Sequence, residues 1–143
     1  MTYFQFLATL TANLFTGAAI YINLAEHPAR MECGTKLAAT VFGPSYKRAA
    51  KMQVILALLA TGAGAVSWWL GGELMWLIGT LIIFAVVPFT LIAIGPTNKK
   101  LLDPGLDPDA ESTRILLKNW GKLHAVRSIL SLAASIIFLA LVV

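Results

Sequence analysis

Residues 119–143 read NWGKLHAVRSILSLAASIIFLALVV. Lys122, His124 and Arg127 stand at the head of this stretch, and 128–143 carries no further charge. A helix needs about 20 residues to cross a hydrocarbon layer roughly 30 Å thick. A crossing built on this stretch therefore starts near Trp120, with Lys122 and Arg127 close to the interface. Working back along the chain, 2–25, 52–72 and 74–98 are also free of charged residues, and each is long enough to cross unaided. The sequence predicts an all-α, polytopic membrane protein: four transmembrane helices in a bundle, forming a single domain over 1–143.

Composition agrees. Of the 143 residues, 58% are hydrophobic and 13% charged, against about 25% charged in an ordinary soluble domain. The net charge of +4 does not point to nucleic acid, because the charges follow the topology. All eleven Lys and Arg lie in 28–51, in 99–119 or at the mouth of the fourth run. The positive-inside rule then puts loops 28–51 and 99–119 on the cytoplasmic side, with both termini non-cytoplasmic. No basic residue precedes the first run, and Glu26-His27-Pro28 follows it, so it reads as a retained span rather than a signal peptide. Cys33 is the lone cysteine, on a side expected to be reducing, so no intramolecular disulfide forms.

Pro28 predicts that span one ends near Glu26 or His27. Residues 30–42 read as a short interfacial helix, with Pro44 in the first turn of span two. Along span one, Thr9, Asn13, Thr16, Asn23 and His27 share a face that should look into the bundle, since Asn13 in lipid would leave its amide unpaired. Gly17, Gly62, Gly64 and Ala65 invite close helix approach, and the small residues of span two also suit a homo-oligomer. Trp68, Trp69 and Trp76 mark the far interface. Pro88 is a candidate kink in span three. Residues 104–108 read as a turn, with Asp107 as N-cap and Pro108 as the first residue of the last helix.

Candidate functional residues come from topology. Glu26 and His27 end span one, Asn98 ends span three, and His124 and Arg127 open span four. The alternating direction of the spans brings all five to one edge of the bundle. Ser128, Ser131 and Ser135 continue the polar face of span four. Ionisable residues in a span are functional candidates by default, yet each has a simpler reading. Arg127 would snorkel to headgroups, Glu26 would pair with Arg127 or Arg30, and His27 and Asn98 would cap helix ends. Asn13 and Asn23 would join helices, and Ser131 and Ser135 would bond carbonyls of their own helix. His27, His124 and Glu26 are an alternative iron site of two histidines and one carboxylate, and the histidine pair an alternative haem ligand set. No HExxH or CxxC spacing supports either, and no glycine loop suits a dinucleotide or phosphate, so no cofactor is predicted.

Four blocks carry a resemblance: GAAIYINLAEHPAR at 17–30, LAATVFGPSYKRAAKMQ at 37–53, PTNKKLL at 96–102 and NWGKLHAVRSILSLAA at 119–134. In this order they resemble the DUF1772 family of small integral membrane proteins, which includes the anthrone oxygenases. The resemblance draws attention to Glu26, His27 and Pro28, to Ser45, Tyr46 and Arg48, to Pro96 and Asn98, and to Trp120, His124 and Arg127. It implies an oxygenase that uses molecular oxygen as co-substrate to turn an activated methylene of a flat, apolar aromatic molecule into a quinone. In that scheme His124 is the base, with His27 as its rival. Arg127 holds the developing oxyanion with help from Asn98, and Glu26 orients His27 or neutralises Arg127. The competing expectation is a non-enzymatic scaffold, or a protein binding membrane lipids or small hydrophobes, in which the same cluster locks the helices together. A cavity of a few hundred Å³ would favour chemistry.

Overall fold

The four apolar runs fold as four long helices in the computed structural model, which describes residues 1–143. These are α1 (Tyr3–Glu32), α2 (Thr35–Trp69), α3 (Leu74–Leu101) and α4 (Glu111–Val142). Each packs against the helix that follows it, and α4 closes the ring on α1. At about 1.5 Å per residue the helices are roughly 40–50 Å long, more than the roughly 30 Å of hydrocarbon. The excess lies at the end carrying both basic loops, where all eleven Lys and Arg are found.

Small residues hold the apolar half together, as expected where lipid offers no hydrophobic drive between helices. Ala8, Ala12, Ala57, Ala60 and Ala134 are buried there around Phe15 and Phe138. A Cβ at Gly64 would collide with the Thr80 hydroxyl, and one at Gly79 would stand 2.6 Å from the Phe138 ring. These two glycines create the room that Phe138 fills. Gly17 and Gly62 have nothing within 4 Å of a notional Cβ, so the expected close approach at those positions does not occur. Trp68 and Trp69 are exposed, as an interfacial belt requires, but Trp76 is buried and stacks on Phe138 at 5.2 Å. The turn at 70–73 is a Schellman motif: Gly71 has φ +92°, and the N–H of Gly72 donates to the Ser67 carbonyl at 3.1 Å.

Proline is where the expectations fail. Pro28 does not end α1, which continues to Glu32 through a π-turn at Ile22–Glu26. A proline ring collides with the carbonyl four residues back. Here that carbonyl belongs to Leu24, inside the widened turn, which relieves the collision. Pro96 repeats the arrangement on α3, after a π-turn at Thr90–Ile94 that contains Ile92. Pro44 likewise sits inside α2 rather than in its first turn. Gly43 precedes it, and without a Cβ it escapes the clash that usually drives a pre-proline residue out of helical geometry. The separate interfacial helix expected at 30–42 is therefore the end of α1, a break at Cys33 and Gly34, and the start of α2. Finally, α4 starts at Glu111, not at Asp107. The Asp107 carboxylate instead accepts from the Asp109 N–H at 3.0 Å, an Asx-type turn that competes with capping.

Candidate active site around Trp120

Both histidines touch one indole. Trp120 of α4 is buried, with His124 stacked on it at 4.8 Å and His27 tilted against it at 5.1 Å. The Arg30 guanidinium lies 5.4 Å from the same ring. The Trp120 Nε1–H donates to Asn98 Oδ1 at 2.8 Å. That fixes the orientation of the amide, because an indole N–H can only donate. Asn98 Nδ2 then donates to the Tyr46 hydroxyl oxygen at 3.0 Å, which leaves the phenolic proton of Tyr46 free for another acceptor.

His124 is oriented in a similar way. Asn23 Nδ2 donates to the Gly121 carbonyl at 3.0 Å, so Asn23 Oδ1 faces the imidazole. It accepts from His124 Nδ1–H at 2.7 Å and from the Ser128 hydroxyl at 2.6 Å. The neutral ring therefore carries its proton on Nδ1, and Nε2 is a lone pair without a hydrogen bond. This tautomer follows from the network.

His27 is fully engaged. Its Nε2–H donates to the Leu117 carbonyl of α4 at 3.0 Å, and its Nδ1 accepts from Arg30 Nε at 3.1 Å and Nη2 at 2.9 Å. Arg30 in turn lies 3.7 Å from Glu26, whose Oε1 accepts from the Ser45 hydroxyl at 2.6 Å. Glu26 thus pairs with Arg30 and not with Arg127. His27 caps nothing on its own helix; it ties α1 to α4.

Arg127 does not snorkel. It is 6% exposed, packs over the Phe15 ring at 5.5 Å and has no carboxylate partner. Its Nη2 donates to Gln53 Oε1 at 2.7 Å. The remaining polar residues hold the bundle from within: Thr16 meets Ser135 at 2.8 Å across α1 and α4, so Ser135 bonds another helix rather than its own. Ser131 donates to the Ser128 carbonyl, as expected. Asn13 donates to the Thr9 carbonyl of its own helix and joins nothing.

Two spaces meet at Arg127. One, of about 20 Å³, is lined by His124, Arg127, Arg30, Tyr46, Gln53 and Trp120 with five smaller or apolar neighbours. The other, of about 120 Å³, lies between α2 and α3 and shares Tyr46, Ala50, Gln53 and Arg127. No acidic residue lines either. Of the five sequence candidates, His124 and Arg127 reach these cavities, while Glu26, His27 and Asn98 stand behind the lining residues. The alternative iron or haem site does not fit: His27 has both ring nitrogens occupied, and no three His, Cys, Asp or Glu side chains converge.

Sequence reasoning passed over Gln53 and named Arg30 only as an alternative partner of Glu26, the pairing that occurs. Tyr46, Ala49, Ala50, Gln53 and Ala57 recur at helical spacing, a signal that Pro44, read as the start of span two, did not obscure. Arg30 is separated from His27 in the sequence reading, at the head of an interfacial helix, because Pro28 reads as the end of span one. Arg48 of the same block is exposed.

Fold and site together define a polytopic helical membrane bundle with a cation-rich polar pocket inside one end. The chain belongs to the anthrone oxygenase family, whose model matches residues 39–137. That match takes in Tyr46, Gln53, Asn98, Trp120, His124 and Arg127. Over 93% of its length the chain is similar, at 25% identity, to anthrone oxygenase tpcL of Aspergillus fumigatus, of which it covers 89%. No solved structure matches.

Proposed function

We propose that the protein is a membrane-embedded oxygenase that converts the activated methylene of a flat, apolar aromatic ketone into a quinone carbonyl. The observation that carries this reading is the pinned imidazole of His124, with a bare Nε2 in the same cavity lining as Arg127 and Tyr46. His124 Nε2 removes a proton from the methylene, which a neutral imidazole is suited to do near pH 7. The negative charge moves to the ketone oxygen, where the Arg127 guanidinium and the Tyr46 hydroxyl hold it in a site of low dielectric. The carbanion carbon forms a bond to dioxygen, and protonation gives a hydroperoxide. Loss of the remaining hydrogen on that carbon with cleavage of the O–O bond releases water and leaves the carbonyl. All electrons that reduce dioxygen come from the CH₂ group.

Asn98 positions Tyr46 in this scheme rather than touching the oxyanion, and Glu26, Arg30 and His27 brace Trp120. The basic loops face the cytoplasm, and both termini lie on the other side.

The scaffold or hydrophobe-binding alternative is favoured by one observation. The space directly at His124 is about 20 Å³, whereas small-molecule sites generally start at about 300 Å³. A tricyclic substrate must use both cavities and displace side chains between them.

Oxygen uptake by purified protein in detergent, with an anthrone as substrate, separates the two readings. Uptake that is lost in a folded His124→Ala variant supports the oxygenase. Unchanged uptake in that variant rejects the base, and no uptake by wild type favours the scaffold. Metal content and a visible spectrum recorded on the same sample show whether a bound group contributes.

A further inference from the structure

We infer that the cavity between α2 and α3 binds a flat aromatic acid, an apolar ring system bearing one carboxylate or ionised phenol, anchored by Arg127 and Gln53. Arg127 Nε and Gln53 Nε2 are buried N–H donors without a hydrogen-bond partner, and both residues line this cavity. They are 6% and 1% exposed. The bond between them engages the Gln53 carbonyl, and the atoms of the pair left unpaired are both donors. A buried donor without an acceptor is costly, more so when charged. The Arg127 charge also lacks a counter-ion within the bundle, since Glu26 is held by Arg30 and Ser45. An anionic ligand supplies both missing elements.

The other walls select the body of that ligand. Phe15, Ala57, Val86 and Val87 are apolar, and the small Ala50 and Ala57 leave a shallow slot between two helices. Val54 and Leu91 line the cavity and are also exposed on the outer face, at 48% and 71%. The mouth therefore opens toward lipid, between α2 and the π-turn of α3. A ring system dissolved in the bilayer arrives sideways, its anion reaching Arg127 and its far rings resting in the mouth. This deepens the oxygenase reading by giving the substrate an ionised oxygen, but it requires no turnover.

The test is equilibrium dialysis of the full-length protein in phosphatidylcholine nanodiscs under argon, with empty nanodiscs as background. The probes are 2-naphthoate, its methyl ester and laurate. Binding of 2-naphthoate is expected to be about tenfold or more tighter than that of either other probe, because only it combines a charge for Arg127 with a flat body. Gln53→Leu, and Leu91→Trp at the lipid-facing mouth, should each weaken it by about tenfold or more. Equal binding of acid and ester overturns the anion anchor, and tighter binding of laurate overturns the aromatic assignment. Unchanged binding in both variants overturns the location. Selective 2-naphthoate binding by a protein that consumes no oxygen with an anthrone would sink the oxygenase reading alone.

Discussion

Asn23 of α1 and His124 of α4 are joined by a 2.7 Å hydrogen bond that decides which imidazole nitrogen is left bare. The bond is directional because Asn23 is itself fixed by the Gly121 carbonyl. A water would not impose the same choice, because it can donate as well as accept. Asn23→Leu keeps the branched shape and removes the acceptor. It is expected to lower kcat about 10- to 100-fold, the usual effect of losing a group that orients a working histidine. Nitrogen NMR of labelled histidine supplies the readout that a merely structural role would not move. Wild type should show His124 protonated on Nδ1, and the variant a mixture. A single unchanged tautomer with reduced activity would reject the positioning role.

Tyr46 and Asn98 separate a group that touches the substrate from one that acts through it. Tyr46→Phe removes the only phenolic donor of the two cavities. Loss of one oxyanion donor typically lowers kcat by about 10²-fold or more. Asn98→Leu should have a smaller effect on kcat but a larger one on stability, about 1–3 kcal/mol, because it leaves the buried Trp120 N–H without an acceptor. Steady-state kinetics and thermal unfolding in detergent, run on both variants, check the pair. Equal losses of kcat in the two would return Asn98 to the oxyanion and demote Tyr46.

The fold was legible because three charge-free runs of membrane length, and a fourth that reaches that length when extended back to Trp120, admit few other structures, and because the alternation of spans is arithmetic. The meeting of His27, Asn98 and His124 around Trp120, with Arg127 further along α4, followed from that alternation. The misreading at Pro28 has an identifiable origin. Proline marks helix ends in sequence because of a clash with the carbonyl four residues back, and a π-turn removes that clash at Pro28 and Pro96 without any compositional sign. Once Pro28 is allowed inside α1, Arg30 falls one turn beyond His27 on the same helix and belongs to the site. Asn98 was assigned to the oxyanion because depth alone was known. That its amide is consumed by Trp120 and Tyr46 depends on rotamers, which residue spacing does not encode.

Orientation in the membrane has its own handle. Cys33 is the only cysteine and is exposed, at the break between α1 and α2. In sealed vesicles of known orientation, an impermeant maleimide should label it only from the cytoplasmic face. Cys33→Ser combined with Glu73→Cys, at the exposed turn of the opposite end, should reverse the pattern. Labelling of Cys33 from the outer face would invert the topology and place the pocket on the other side, leaving its internal geometry unaltered.

Gly121 tests whether the two histidines are mechanically linked. A Cβ at this position would stand 2.8 Å from His27 Cδ2 and Nε2, closer than side chains tolerate. The Gly121 carbonyl also accepts the bond that orients Asn23 and hence His124. Gly121→Ala must therefore push His27 off the Leu117 carbonyl, shift α4 away from α1, or both. The first response leaves His124 in place; the second stretches its bond to Asn23. Destabilisation of about 1–3 kcal/mol is expected in either case, as for an overpacked core. Activity distinguishes them. Because His27 braces Trp120 and lines neither cavity, displacement of its ring alone should lower kcat far less than the roughly 10²-fold or more expected for loss of a general base. If kcat falls by about tenfold or more while His124 keeps its Nδ1 tautomer, His27 has a direct role in the reaction, and the assignment of the base to His124 alone is wrong.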